Sequence, residues 1–217
     1  MPLSSIVTVP SGAPETAELP LVIVMHGRGA DNRDLADLAP LVDDGYRWVF
    51  PNAPRSFSPY PGMSYGRSWF DGWPPEGDTI LVARQMLLEL IDDLLERYPT
   101  TPGKVVLAGF SQGALMAFDV GYRAQVQLAG IVAMSGALFE DDRGDLDAHR
   151  DIPVLVIHGT GDEMIPVKAA RRARFVLEEH GIHPEYHELP MGHHVSDESM
   201  RIVRDFLRRN LRGSSIA

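Results

Sequence analysis

Ser111 lies inside Gly109-Phe-Ser-Gln-Gly113, a G-x-S-x-G spacing. A serine hydroxyl is a poor nucleophile until a base takes its proton, and a histidine base has to be oriented by a carboxylate. Both partner types follow Ser111 in the order acid, then histidine, that accompanies this kind of turn. The acid is Asp162 in His158-Gly-Thr-Gly-Asp162, just past an apolar run, with its neighbour Glu163 as the alternative. The base is one of two residues in Met191-Gly-His-His194, and position alone does not separate His193 from His194. Asp141, Asp142, Asp145 and Asp147 belong to a polar run that reads as solvated loop. Acyl transfer also needs donors for the developing oxyanion, and losing one costs about 10²–10³ in rate. The backbone N–H of Gln112, directly after the serine, is one such donor. The loop His26-Gly-Arg-Gly29 is placed to supply another.

These residues act together only if strands and helices carry them to one edge. Short apolar runs at Leu21–Met25, Trp48–Phe50, Lys104–Ala108, Leu128–Met134 and Pro153–Ile157 read as strands, with His183–Leu189 as a shorter last one. They are apolar rather than alternating, as parallel strands covered on both faces are. Helical patterns lie between them. Asp78 is placed to cap a helix reaching about Tyr98, with Ala83, Leu87, Ile91 and Leu94 on one face. Ala114–Arg123 forms another, and Pro166 suits the first turn of a third that ends at Gly181. Ser196, followed by Asp197 and Glu198, starts the last. The alternation predicts an α/β fold, a mostly parallel sheet with helices on both faces, in one domain over 1–217. Ser111 then falls on a sharp strand-to-helix turn that aims its Oγ out of the sheet.

Composition narrows the function classes. The chain has 217 residues, 44% hydrophobic and 23% charged, which is globular usage. Thirty acidic against twenty basic side chains give a net charge of −10, which disfavours nucleic acid as a partner. Without cysteine there is no disulfide framework, thiolate metal site or cysteine nucleophile. His187, His193 and His194 are near in sequence but lack a recognisable ligand spacing, so no metal and no cofactor are expected. Apolar runs such as Leu21–Met25 are far short of the roughly 20 residues of a membrane helix, so stable membrane insertion is not expected. A cytoplasmic setting is expected, and a homodimer is left open.

The stretch Pro51–Gly77 does not follow the alternation. It holds six prolines and the aromatics Phe57, Tyr60, Tyr65, Trp69, Phe70 and Trp73. Rings of this density either seal a core edge or build a ligand pocket. The stretch leaves a strand end on the catalytic edge, so it is expected to fold over the site. That places Met63, Trp69 and Phe70 at an acyl pocket, with Met164 and Ile165 opposite, and predicts a shallow slot that favours short acyl chains.

Six pieces in order resemble the small bacterial carboxylesterase/phospholipase group of α/β-hydrolases, related to acyl-protein thioesterases. They are HGRGAD at His26–Asp31, PNAP at Pro51–Pro54, WFD at Trp69–Asp71, GFSQGA at Gly109–Ala114, HGTGDEMIP at His158–Pro166 and GHHVSDE at Gly192–Glu198. The resemblance spans nearly the whole chain. It implies the α/β-hydrolase fold and a serine hydrolase that cleaves small carboxylic esters through an acyl-enzyme. Thioesters and lysophospholipids are the alternative substrates, and a non-catalytic ligand-binding member of the fold is the remaining one. By resemblance Ser111 is the nucleophile, Asp162 the acid, His193 the base, and the amides of Arg28 and Gln112 the oxyanion donors. Position 28 is often leucine in thioesterase-like members. An arginine there leaves the amide in place and changes what the cleft accepts.

Overall fold

The apolar runs form the middle of a seven-stranded sheet in the computed structural model, which describes residues 2–42, 45–60, 62–63, 65–73, 75–139 and 144–212. Its strands are β1 (Ser5–Thr8), β2 (Leu19–Met25), β3 (Arg47–Pro51), β6 (Thr100–Phe110), β7 (Leu128–Met134), β8 (Val154–Gly159) and β9 (Glu185–Leu189). A separate two-stranded hairpin pairs β4 (Arg55–Phe57) with β5 (Gly66–Ser68). The order across the large sheet is β1-β3-β2-β6-β7-β8-β9, with only β1 antiparallel to its neighbour. Parallel strands put all their C-terminal ends on one edge. The loops after β2, β6, β8 and β9 therefore meet there.

Residue alternation explains why the strands are apolar throughout. Leu21, Ile23 and Met25 join a core with Leu87 and Leu94 of α2 (Thr79–Arg97), Leu115 and Phe118 of α3 (Gln112–Gly121), and Val176 of α4 (Lys168–Glu179). Val22 and Val24 face the other way, into a core with Val42 of α1 (Ala39–Val42) and Phe206 and Leu207 of α5 (Asp197–Leu207). The mostly parallel sheet covered on both faces is as expected.

The differences are local and have causes. β1 escapes sequence reading because it is a short, half-exposed edge strand, stabilised only by pairing Ser5–Thr8 with Trp48–Pro51. β9 begins at Glu185, after Pro184, which has no N–H to give the ladder. β6 starts earlier than expected, at Thr100, opposite Leu19. Helix α3 starts at Gln112, so the serine itself is the cap residue. Asp78 stands at the cap of α2 without a side-chain bond to it, and Pro166 precedes the first turn of α4. Ser196 caps α5 with a reciprocal pair of bonds to Ser199. The Pro51–Gly77 stretch is not structureless, since it contains the hairpin. Asp145 and Asp147 are exposed; Asp141, Asp142, Pro61 and Pro74 lie outside the described residues.

One buried charge ties the sheet's far end together. Arg47 is fully buried, and its guanidinium donates to the carbonyls of Pro99, Glu15 and Ala17 at 3.0, 2.7 and 3.0 Å. It also lies over the Tyr98 ring, 4.7 Å from its centroid. Replacing Arg47 with methionine removes the donors and leaves those carbonyls without them. Arg47→Met is expected to lower the unfolding free energy by about 2–4 kcal/mol, read as a lower urea midpoint at an unchanged m-value.

Candidate active site

Ser111 sits at φ 55°, ψ −120°, a backbone conformation that an L-residue adopts only under constraint. Such a conformation costs about 1–3 kcal/mol and persists when its surroundings over-determine it. The surroundings here are the two motif glycines. A Cβ on Gly109 would stand 2.2 Å from the Gly113 carbonyl, and one on Gly113 would stand 2.0 Å from the Met25 oxygen. The Ser111 amide donates to Met134 O at 2.9 Å, which fastens the turn to β7.

Three side chains from three loops form a continuous hydrogen-bonded chain. The Ser111 hydroxyl is 2.9 Å from His193 Nε2, and His193 Nδ1 is 2.7 Å from Asp162 Oδ2. The carboxylate accepts, so Nδ1 carries the proton and Nε2 is free to accept from Ser111. The other oxygen, Oδ1, accepts the amides of Met164 and Ile165 at 3.0 and 2.8 Å. Burial opposes the Asp162 charge, but the bonds from His193 and the Ile165 amide outweigh it and hold the carboxyl below its ordinary range. His158 is wholly buried behind it, Nε2 2.7 Å from Ile165 O and 3.3 Å from Asp162 Oδ2. The His193 ring packs on Phe110 at 4.9 Å between centroids. His194 and Glu163, the two alternatives, are exposed, and among the described residues neither is hydrogen-bonded to Ser111.

Main-chain bonds join the acid and histidine loops. Thr160 N donates to Leu189 O and Gly161 N to Met191 O, at 2.8 and 3.0 Å. A Cβ on Gly159 would stand 2.3 Å from Met191 O, so this approach also needs glycine.

The Arg28 loop is held from the other side. Gly29 N donates to Arg67 O and Arg67 N to Ala30 O, each at 2.8 Å, with Gly66 so close that a Cβ would meet Gly29 O at 2.1 Å. His26, 1% exposed, is a second fastener: Nδ1–H donates to Gly27 O at 2.7 Å and Nε2 accepts the Ala53 amide at 3.1 Å. Among the described residues, no protein acceptor takes the amide of Arg28 or Gln112. The Gln112 side chain had no assigned task in the sequence. Its Oε1 accepts the Trp69 amide and its Nε2 donates to Phe70 O, both at 2.8 Å. A buried amide beside the nucleophile therefore anchors the aromatic stretch.

Beside Ser111 opens a cleft of about 340 Å³, lined by Arg28, Phe70, Trp73, Leu115, Met164, Ile165 and Lys168 among others. Of the residues expected at an acyl pocket, Phe70, Met164 and Ile165 line this cleft. Trp69 and Met63 do not. Trp69 is fully buried beneath the site, its indole N–H donating to His26 O at 2.9 Å, because a ring so near the sheet buries more surface inward. Met63, in the turn joining the hairpin strands, is 57% exposed outside the cleft. Trp73 takes the wall position instead. Arg28 does not pair with Asp31 or Asp34; its guanidinium lies over the Phe57 ring, 4.5 Å from the centroid.

The chain is similar to known proteins in sequence and fold. A family model described as Phospholipase/Carboxylesterase matches residues 8–211. Carboxylesterase SOBER1 of Arabidopsis thaliana is 27% identical over 186 residues, covering 77% of this chain and 78% of its own. Acyl-protein thioesterase 1 of Neurospora crassa is 26% identical over 226 aligned positions, covering 94% and 90%. Among solved structures, esterase PE8 superposes with a TM-score of 0.83 at 28% identity, covering 97% of this chain and 100% of that one. The Bacillus cereus carboxylesterase shares the fold, with a TM-score of 0.79 at 17% identity over 96% and 94% of the two chains.

His26 makes the site's support sensitive to pH. Burial holds its pKa below the ordinary 6.5, against the pull of its bond to Gly27. The unfolded chain therefore binds the proton at higher pH than the folded one does. This contribution to stability is complete above about pH 6.5 and is lost as pH falls toward the lower folded value. Unfolding titrations at pH 7.5 and 5.5 should show wild type losing more stability than His26→Gln over that interval.

Proposed function

This chain belongs to the phospholipase/carboxylesterase family and has the α/β-hydrolase fold; from that premise we propose that it cleaves small carboxylic esters through an acyl-enzyme, with no cofactor. The observation that carries the reading is the bonded series Ser111–His193–Asp162 at the strand ends. His193 Nε2 takes the Ser111 proton as Oγ attacks the carbonyl carbon. The amides of Arg28 and Gln112 hold the oxyanion that forms. Collapse of the tetrahedral intermediate expels the alkoxide, which leaves with the proton from Nε2. Water then gives its proton to His193 as its oxygen attacks the acyl carbon, and Ser111 Oγ leaves with that proton, releasing the acid. Asp162 stays ionised throughout and stabilises the imidazolium. The strained backbone of Ser111 and its bonded Oγ support this role, since a binding module requires neither.

Thioesters are the second reading, favoured by the likeness to acyl-protein thioesterase 1. They use the same steps, with a thiolate leaving more readily than an alkoxide. A lysophospholipid would also be cleaved by the same steps. Among the described residues no helix is long and apolar enough to cross a membrane. A cytoplasmic setting is proposed on the cysteine-free composition.

Ser111→Ala should lose labelling by a fluorophosphonate and at least about 10³-fold in turnover while remaining folded. His193→Ala should match it, and His194→Ala should stay close to wild type. Equal losses in the two histidine variants would reject the assignment.

The cleft of about 340 Å³ has room for a short acyl group. Each methylene adds about 0.8 kcal/mol only while apolar surface remains to cover it. A series of 4-nitrophenyl esters should give the highest kcat/KM at a short chain and decline well before palmitate. Trp73→Ala, which opens the wall, should move that optimum to longer chains, whereas Met63→Ala should leave it in place.

A further inference from the structure

The cleft carries charge for which the ester chemistry has no use. Arg28 and Lys168 both line it, and none of the described lining residues is acidic. Acids are plentiful elsewhere, thirty against twenty bases. Arg55, Arg97, Arg171, Arg174, Arg201 and Arg209 each pair with one. Among the described residues neither Arg28 nor Lys168 has a carboxylate at ion-pair distance.

Among the described residues, ion pairing accounts for neither cation. Lys168 is the first residue of α4, where a positive charge opposes the helix dipole. It is one of only two lysines in the chain, and the other, Lys104, is spent on the Asn210 carbonyl at 2.7 Å. Arg28 is held by its stack on Phe57. That contact engages the face of the guanidinium and leaves its in-plane N–H donors free. The same cleft is also lined by Phe70, Trp73, Leu115 and Ile165. Both cations are exposed, so a charge contact made with them is screened by salt.

We propose that the cleft selects esters bearing a carboxylate a few bonds from the scissile carbonyl, held by Arg28 and Lys168 while Ser111 attacks. This rests on the hydrolase reading above. The carboxylate can sit on the acyl arm, as in a monoester of a small dicarboxylic acid, or on the alcohol arm, as in an ester of a hydroxybenzoate.

Two matched pairs distinguish the arms. 4-Nitrophenyl hydrogen glutarate is compared with 4-nitrophenyl pentanoate, and 3-carboxyphenyl butyrate with phenyl butyrate. For one pair, wild type should show an anionic-to-neutral ratio of kcat/KM of about 10 at low salt, falling as salt screens the contact. Arg28→Met and Lys168→Met should each lower the ratio several-fold, and the double variant should remove the preference. The neutral ester in the same variant absorbs any general loss from disturbing the loop. A wild-type ratio at or below one for both pairs, or a ratio unmoved by the variants, overturns the proposal. If no ester is cleaved and no fluorophosphonate labels Ser111, the hydrolase reading fails instead. Calorimetric titration with glutarate then decides on the cations alone. Binding lost in the double variant supports the anion site, and absence of binding to wild type overturns it.

Discussion

The backbone entering α3 passes so close to β2 that a Cβ on Gly113 would stand 2.0 Å from the Met25 carbonyl oxygen. That approach brings the serine turn against the loop that follows β2. Ser111 takes its strained φ there, and its amide is spent on Met134 O. The amides of Gln112 and Arg28, on the two sides of the approach, are left without protein acceptors among the described residues. The same close packing recurs at Gly66 against Gly29 and at Gly159 against Met191. Three loops are thus aligned by main-chain contacts that a single methyl group would break.

Charge is organised around this geometry by burial. Asp162 keeps its proton off because three donors, from Met164, Ile165 and His193, bond its two oxygens, while His158 Nε2, bonded to Ile165 O, stands 3.3 Å away. His26 is kept neutral by burial and used as a fastener, its two nitrogens turned to backbone groups of different loops. His193 lies between Asp162 and Ser111 and retains some solvent access, its side chain 11% exposed. Three buried or half-buried histidines in one site therefore have three different tasks, set by their neighbours rather than by residue type.

Much was legible before folding. Strand and helix periodicity was strong wherever both sheet faces are covered, so β2, β3, β6, β7 and β8 were visible as apolar runs, while β1 at the half-exposed edge was not. The serine, acid and histidine stand on loops that follow strands, so their order along the chain nominated Ser111, Asp162 and the His193–His194 pair, and the family resemblance pointed to His193. The hairpin β4–β5 was hidden because its strands are three residues long and carry no apolar pattern.

The sequence alone determined the α/β class, the glycine-bounded serine, and the set of residues from which a triad could be assembled. Tertiary structure decided between neighbours. His193 and His194 share a loop and a residue type, and only the position of the loop against Asp162 turns one ring inward. Trp69 and Trp73 are both aromatic residues of one stretch, and burial on the sheet sends the first beneath the site and leaves the second at the cleft. Gln112 acquires its anchoring role only once residues 68–70 are brought beside it, across more than forty positions of chain. Composition and spacing report which groups are available. Which way each points depends on distant backbone packing, and that is settled only when the sheet has formed.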